Sequence, residues 1–158
     1  MFRKVRRIKR VIPDEAAREL LKNERRGVLA VNGENGYPYA IPINFYFDEE
    51  AGKIYFHGAK VGYKSEAISA CDKVCFTVYG NETFKDEAWA PYMQSTVVFG
   101  RCRKTNDIDE GFPRLRKLAG KYYPSADLID EEISKDGLGV QVYEIEIEHL
   151  TGKQIKEK

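Results

Sequence analysis

Histidine and cysteine are scarce in this 158-residue chain, which holds two of the first and three of the second. His57 and His149 with Cys71, Cys75 and Cys102 form neither a CxxC pair nor an even disulfide set, which argues against a zinc cluster or a disulfide framework. Three reduced thiols suit a cytoplasm. No long apolar run follows the basic start, so neither a signal-peptide core nor a bilayer span is expected. Excess charge is missing as well: 26 lysines and arginines face 25 acids, a formal net charge of +1, and nothing global advertises nucleic acid or acidic lipid. GxxxxGK is absent, serines are few, and no Ser/His/Asp constellation emerges. The acidic pairs Glu49-Glu50 and Glu131-Glu132 fall in turn or helix positions and read as solvated. No internal repeat or low-complexity tract is present.

What is present is aromatic and periodic. Ten tyrosines, eight phenylalanines and one tryptophan make 12% of the chain, more than a disordered polymer carries, and the length fits one domain over residues 1–158. Residues 1–11 form a basic arm with Arg3, Lys4, Arg6, Arg7, Lys9 and Arg10, read as solvated or as a strand-like cover on the sheet rather than a nucleic-acid contact. Ile12, Ala16, Leu20 and Leu21 behind Pro13-Asp14-Glu15 predict a helix over 13–25. The Asn-Gly pairs of "NGENG" then supply the positive-φ positions of a hairpin turn.

From Tyr37 to Phe47 one parity is entirely apolar, predicting a single long two-faced strand. Pro42 in its middle has no N–H, so it marks an edge, a bulge or a place where the sheet opens and leaves main-chain groups free. A third strand spans Lys53 to His57, a short helix about 62–71, a fourth strand Val74 to Val78, a loop 81–94 and a fifth strand Ser95 to Lys104. Phe112, Leu115, Leu118, Ala119 and Tyr122 mark a helix, with a short acidic helix over 126–135. The last strand, from Val140 to about Leu150, changes parity between Val142 and Ile145, which suggests a bulge there. The fold class expected is mainly β, α+β: a six-stranded antiparallel split barrel with flanking helices.

Chemistry concentrates in "HGAKVGYKSEAI", where the third strand hands over to a helix. A helix N-terminus offers unpaired N–H groups, Gly62 permits close approach, and Lys60 and Lys64 place two ammonium groups where both can meet one anion. The same motif also reads as a solvated loop between surface lysines. His57, opposite in parity to Ile54 and Phe56, points away from the core; there it either exchanges protons near neutral pH or is a histidine satisfied by backbone. His149, Cys71 and Cys75 read as structural.

The run "RRGVLAVNGENGYPYAIPINFYFDEEAGKIYFHGAKVGYKSEAI", with "KVCFTV", "STVVFGRC" and "YEIEIEHLTGK", resembles the flavin-binding split-barrel superfamily that includes pyridoxamine 5′-phosphate oxidase. Within it the likeness is to the nitroimidazole-resistance group. That resemblance implies a homodimer binding FMN in clefts between subunits and acting on a small-molecule substrate. It implies that Ile43, Asn44 and Phe45 run beside the flavin ring, and that His57, Gly58, Ala59 and Lys60 pass the ring and ribityl chain. It further implies that Lys64 reaches the phosphate and that Ser95 and Thr96 come from the partner chain. Trp89 is placed as a lid or as an interface anchor. His57 is the residue expected to take part in the chemistry. The closing "HLTGKQIKEK" lacks the arginine of the phosphate-ester oxidases, which speaks against pyridoxamine phosphate as substrate. The alternatives are a flavin carrier or redox-sensing module, and a split barrel binding haem or a deazaflavin.

Overall fold

The computed structural model describes residues 1–84, 86, 91–105 and 108–155. Seven antiparallel strands make one sheet: β1 (Arg26–Asn32), β2 (Pro38–Asn44), β3 (Tyr46–Asp48), β4 (Lys53–Ala59), β5 (Lys73–Thr83), β6 (Tyr92–Lys104) and β7 (Val140–Ile155). Their order across the sheet is β2-β1-β5-β6-β7-β4-β3. Among the described residues four α-helices attach to it: α1 (Asp14–Asn23), α2 (Tyr63–Ala70), α3 (Ile108–Gly120) and α4 (Ala126–Asp136).

The count of seven rather than six has a local cause. The run 37–47 keeps its alternation, but the chain crosses at Phe45 from one edge of the sheet to the other, so that β2 and β3, neighbours in sequence, are the two edge strands. Phe45 is wholly buried, its ring edge-on to Phe76 at 4.8 Å. Its N–H donates to the Tyr122 hydroxyl at 2.9 Å, and that hydroxyl lies 2.9 Å from the Phe45 carbonyl and 2.5 Å from the Arg25 carbonyl. One phenol in the turn just after α3 therefore closes the split between the start of β1 and the β2–β3 junction. Pro42 sits opposite Val28 on edge strand β2, where a missing N–H costs the ladder nothing.

The barrel interior holds Leu29, Phe45, Ile54, Phe56, Phe76, Val98, Tyr143 and Ile145, closed by Leu20 and Leu21 of α1 and by Ala67 and Ile68 of α2. Proline before α1 and two acids in its first turn favour its start, and Ala17, rather than Ala16, is the fully buried alanine. In the "NGENG" turn Asn35 and Gly36 adopt φ of 56° and 79°, the left-handed values its composition demands.

A second apolar cluster, Leu115, Leu118, Ile133 and Val142, lies on the other face of β7 beneath α3 and α4. Strand β7 is consequently buried on both faces over 142–145, and the parity change in that stretch reflects this double cover rather than a bulge. The register shift falls farther along, where Phe99 pairs with His149 but Gly100 pairs with Ile147. Glu144, 1% exposed, ties α3 to the sheet through Lys53 (2.6 Å), Arg114 (2.7 Å) and Arg103 (3.1 Å). Burial works against its charge, but these three cations outweigh it and hold the carboxyl below its ordinary 4.5. At the other end the basic arm lies on the outer sheet surface, with Phe2 stacked on His149 at 4.7 Å and on Phe99 at 5.6 Å.

Candidate functional site

The end of β4 organises the region. Ile54 and Phe56 are wholly buried in the barrel, while His57 is exposed on the opposite face, as the alternation requires. There it lines a cleft between the sheet and the α3–α4 pair, shared with Asn44 at the end of edge strand β2, Leu115, Tyr122, Ile133 and Val140. The cleft measures about 180 Å³. A cavity of ~150 Å³ accepts a benzene ring, so this one suits a single small ring rather than a tricyclic system. Desolvation by the cleft walls, with Lys64 nearby, pushes His57 below its ordinary 6.5, leaving the imidazole neutral at neutral pH and able to donate one hydrogen bond and accept another.

The lysines separate. Lys64 extends along the inner face of β4, its ammonium 5.4 Å from the Phe56 ring centre and 5.6 Å from that of Tyr143. Burial lowers its pKa from the ordinary 10.5, and among the described residues no carboxylate pairs with it. Gly58 makes this placement possible: a Cβ there would stand 2.5 Å from the Lys64 Nζ. Close approach is thus the role of Gly58, whereas Gly62, with open space around it, is needed for its φ of 117° at the start of α2. Lys60 is exposed and lines a neighbouring cleft with Leu138 and Val140. The turn between them is tightened by Ser65, which donates to the Lys60 carbonyl at 2.9 Å, and by the Tyr143 hydroxyl, which donates to the Ala59 carbonyl at 3.2 Å.

The remaining expected site residues are distributed unevenly. Ile43 packs against the core, and the main-chain groups of Phe45 are already taken by Tyr122, so free backbone at this seam belongs to β2 and not to Phe45. Thr96 is fully buried and its hydroxyl donates to the Ala17 carbonyl at 2.9 Å, which spends that side chain inside the fold. Ser95 has the opposite parity and sits against Lys153, while His57 sits against Val142 on the same strand β7. Eleven residues of strand separate those two positions, on the order of 30 Å, so one chain cannot bring Ser95 to His57. Trp89 lies outside the described residues.

Sequence reasoning missed Tyr122 as the clasp of the split, and it missed Glu132 and Asp136 at the rim of the His57 cleft. The last two carry a readable signal, since acids four apart on a helix share a face. Among the described residues no three His, Cys, Asp or Glu side chains gather as a metal site, and no helix is long and apolar enough to cross a membrane.

A curled antiparallel sheet whose two edges meet at one residue, with helices plugging it and a cleft at the seam, defines a split barrel. Residues 13–154 match the family described as pyridoxamine 5′-phosphate oxidase, and the chain belongs to that family. Among solved structures it is similar to a candidate 5-nitroimidazole antibiotic resistance protein from Bacteroides thetaiotaomicron, at 18% identity over 91% of this chain and 86% of that one, with a TM-score of 0.75. A FAD-binding protein from Mesorhizobium loti is 21% identical over 93% of this chain and 98% of its own, with a TM-score of 0.66. A flavocytochrome from Azotobacter vinelandii is 17% identical over 98% of this chain and 73% of its own, with a TM-score of 0.72. No curated protein matches the chain.

Proposed function

We propose that the protein is an FMN-binding oxidoreductase of the nitroimidazole-resistance type, working as a cytoplasmic homodimer and reducing a small, flat, electron-poor acceptor, nitro-aromatics included. The observation that carries this reading is the imidazole of His57 in a ring-sized cleft shared with the end of edge strand β2, three residues before Lys60 and the turn that leads into α2 and Lys64. Family membership and the FAD-binding and flavocytochrome descriptions of similar structures support a flavin.

The residues fit such a cofactor. Lys64 is a partly buried ammonium with no carboxylate partner among the described residues, a state that a phosphate would relieve, and it stands in the first turn of α2, whose leading N–H groups favour the same anion. Edge strand β2 has a row of main-chain groups without a strand partner among the described residues, suited to the polar rim of a heteroaromatic ring. Ser95 completes the site only from a second copy, which accounts for a dimer. Bound flavin supplies the electron transfer; the chain supplies placement and electrostatics. His57 donates a hydrogen bond from its ring N–H to the acceptor as negative charge builds on it, and the apolar walls keep water from competing.

The test is a titration of the purified protein with FMN followed by its visible spectrum. Saturable binding is expected, with the His57→Ala variant keeping the flavin and changing acceptor turnover. A protein that stays colourless and leaves the FMN spectrum unaltered overturns the proposal.

A further inference from the structure

The cleft beside His57 carries a charge pattern that its apolar walls do not explain. Glu132 and Asp136, one helical turn apart on α4, both line it, both are exposed, and neither forms an ion pair among the described residues. Of the other charges of α4, Lys135 reaches Glu131 at 2.5 Å and Asp130 holds Arg116 at 2.8 Å, while Asp127 lies in the first turn, at the opposite end of the helix from Asp136 and outside the cleft lining. Among the described residues no lysine or arginine lines the cleft. Arg25 and Lys121 stand against the Tyr122 ring, 5.1 and 5.8 Å from its centre, outside that lining.

Like charges four residues apart on a helix repel, and Asp136 closes α4, where the carbonyl end of the helix adds further negative potential. A cation at the rim relieves all three at once. The interior of the same cleft is built from Leu115, Leu118, Ile129 and Ile133, with room for one ring and no anion partner. We infer that this cleft binds a small aromatic or heteroaromatic cation, its ring between α3 and the sheet beside His57 and its positive group between Glu132 and Asp136. The identification of that cation as the acceptor rests on the oxidoreductase reading; the binding does not. Phosphorylated substrates are disfavoured in this cleft for the same electrostatic reason.

The experiment is calorimetric titration of the full chain, with and without FMN, using benzylamine, benzyl alcohol and benzoate as probes of one shape and three charges. Benzylamine is expected to bind about tenfold more tightly than benzyl alcohol, a difference of about 1.4 kcal/mol, with benzoate weakest. In the Glu132→Gln/Asp136→Asn variant benzylamine should fall to the level of the alcohol while the alcohol is unchanged. Equal binding of the three probes, no binding of any, or an amine preference that survives the double substitution overturns the inference. FMN affinity measured on the same samples separates the two readings: amine preference without flavin binding sinks only the oxidoreductase, and flavin binding without amine preference sinks only this site.

Discussion

Lys121 offers a quantitative handle on the clasp that closes the split. Its ammonium lies 3.9 Å from the centre of the Phe45 ring and donates to the Glu24 carbonyl. Burial, reinforced by the Arg25 charge, lowers its pKa from 10.5 to about 8. At pH 7 this amine is protonated in both folded and unfolded chains, so the folded state bears the whole cost of burying it. Between the two pKa values the folded protein has released the proton and the unfolded chain has kept it; the unfolded state then binds more protons and stability rises with pH. From about pH 7 to about pH 9.5 the rise from this one group comes to about 2 kcal/mol. The measurement is urea unfolding of wild type and Lys121→Met across that range, and the quantity to follow is the difference between them. Taking the difference cancels Cys75 and Cys102, whose burial raises their thiols, the latter to about 12, and whose effect above pH 9 has the opposite sign. The wild-type protein should gain on the variant as pH rises. If the two stability curves run parallel, the ammonium is not buried against Phe45 and the account of the clasp is wrong.

Two further outcomes follow from the same region. Tyr122→Phe strips one hydroxyl from three main-chain groups at the seam, two of them at buried Phe45, and should cost ~1–3 kcal/mol by thermal or chemical unfolding; a change within error would show that water replaces the phenol. Lys64→Ala should weaken FMN binding by roughly ten- to a hundredfold, the loss of one charge-assisted contact of ~1.5–3 kcal/mol, and unaltered affinity would place the phosphate elsewhere.

Much of the architecture was readable because alternation and turn chemistry are local. The positive φ of Asn35 and Gly36 and the outward direction of His57 both follow from a few neighbouring residues. Features decided by distant partners were not readable. Alternation continues unbroken through Phe45, so nothing in the run 37–47 reveals that its two halves pair with different strands; Tyr122, 77 residues away, decides that. Val142 and Glu144 look like a parity error until α3 is seen to cover a second face of β7. For Thr96 and Lys64 the resemblance suggested what such residues bind but not where their side chains lie, which burial under α1 and contact with Gly58 decide. Glu132 was set aside with Glu131 as solvated, although only Glu131 has a partner in Lys135.

The place of β7 between β6 and β4 has a consequence for how the chain assembles. Among the described residues the β3–β4 hairpin, which bears His57, pairs with the rest of the sheet through residues 140–146, so the growing polypeptide carries it as an unmated flap until almost the whole protein has left the ribosome. A message truncated before Val140 would yield a four-strand fragment and a stray hairpin with bare edges, a species prone to clumping.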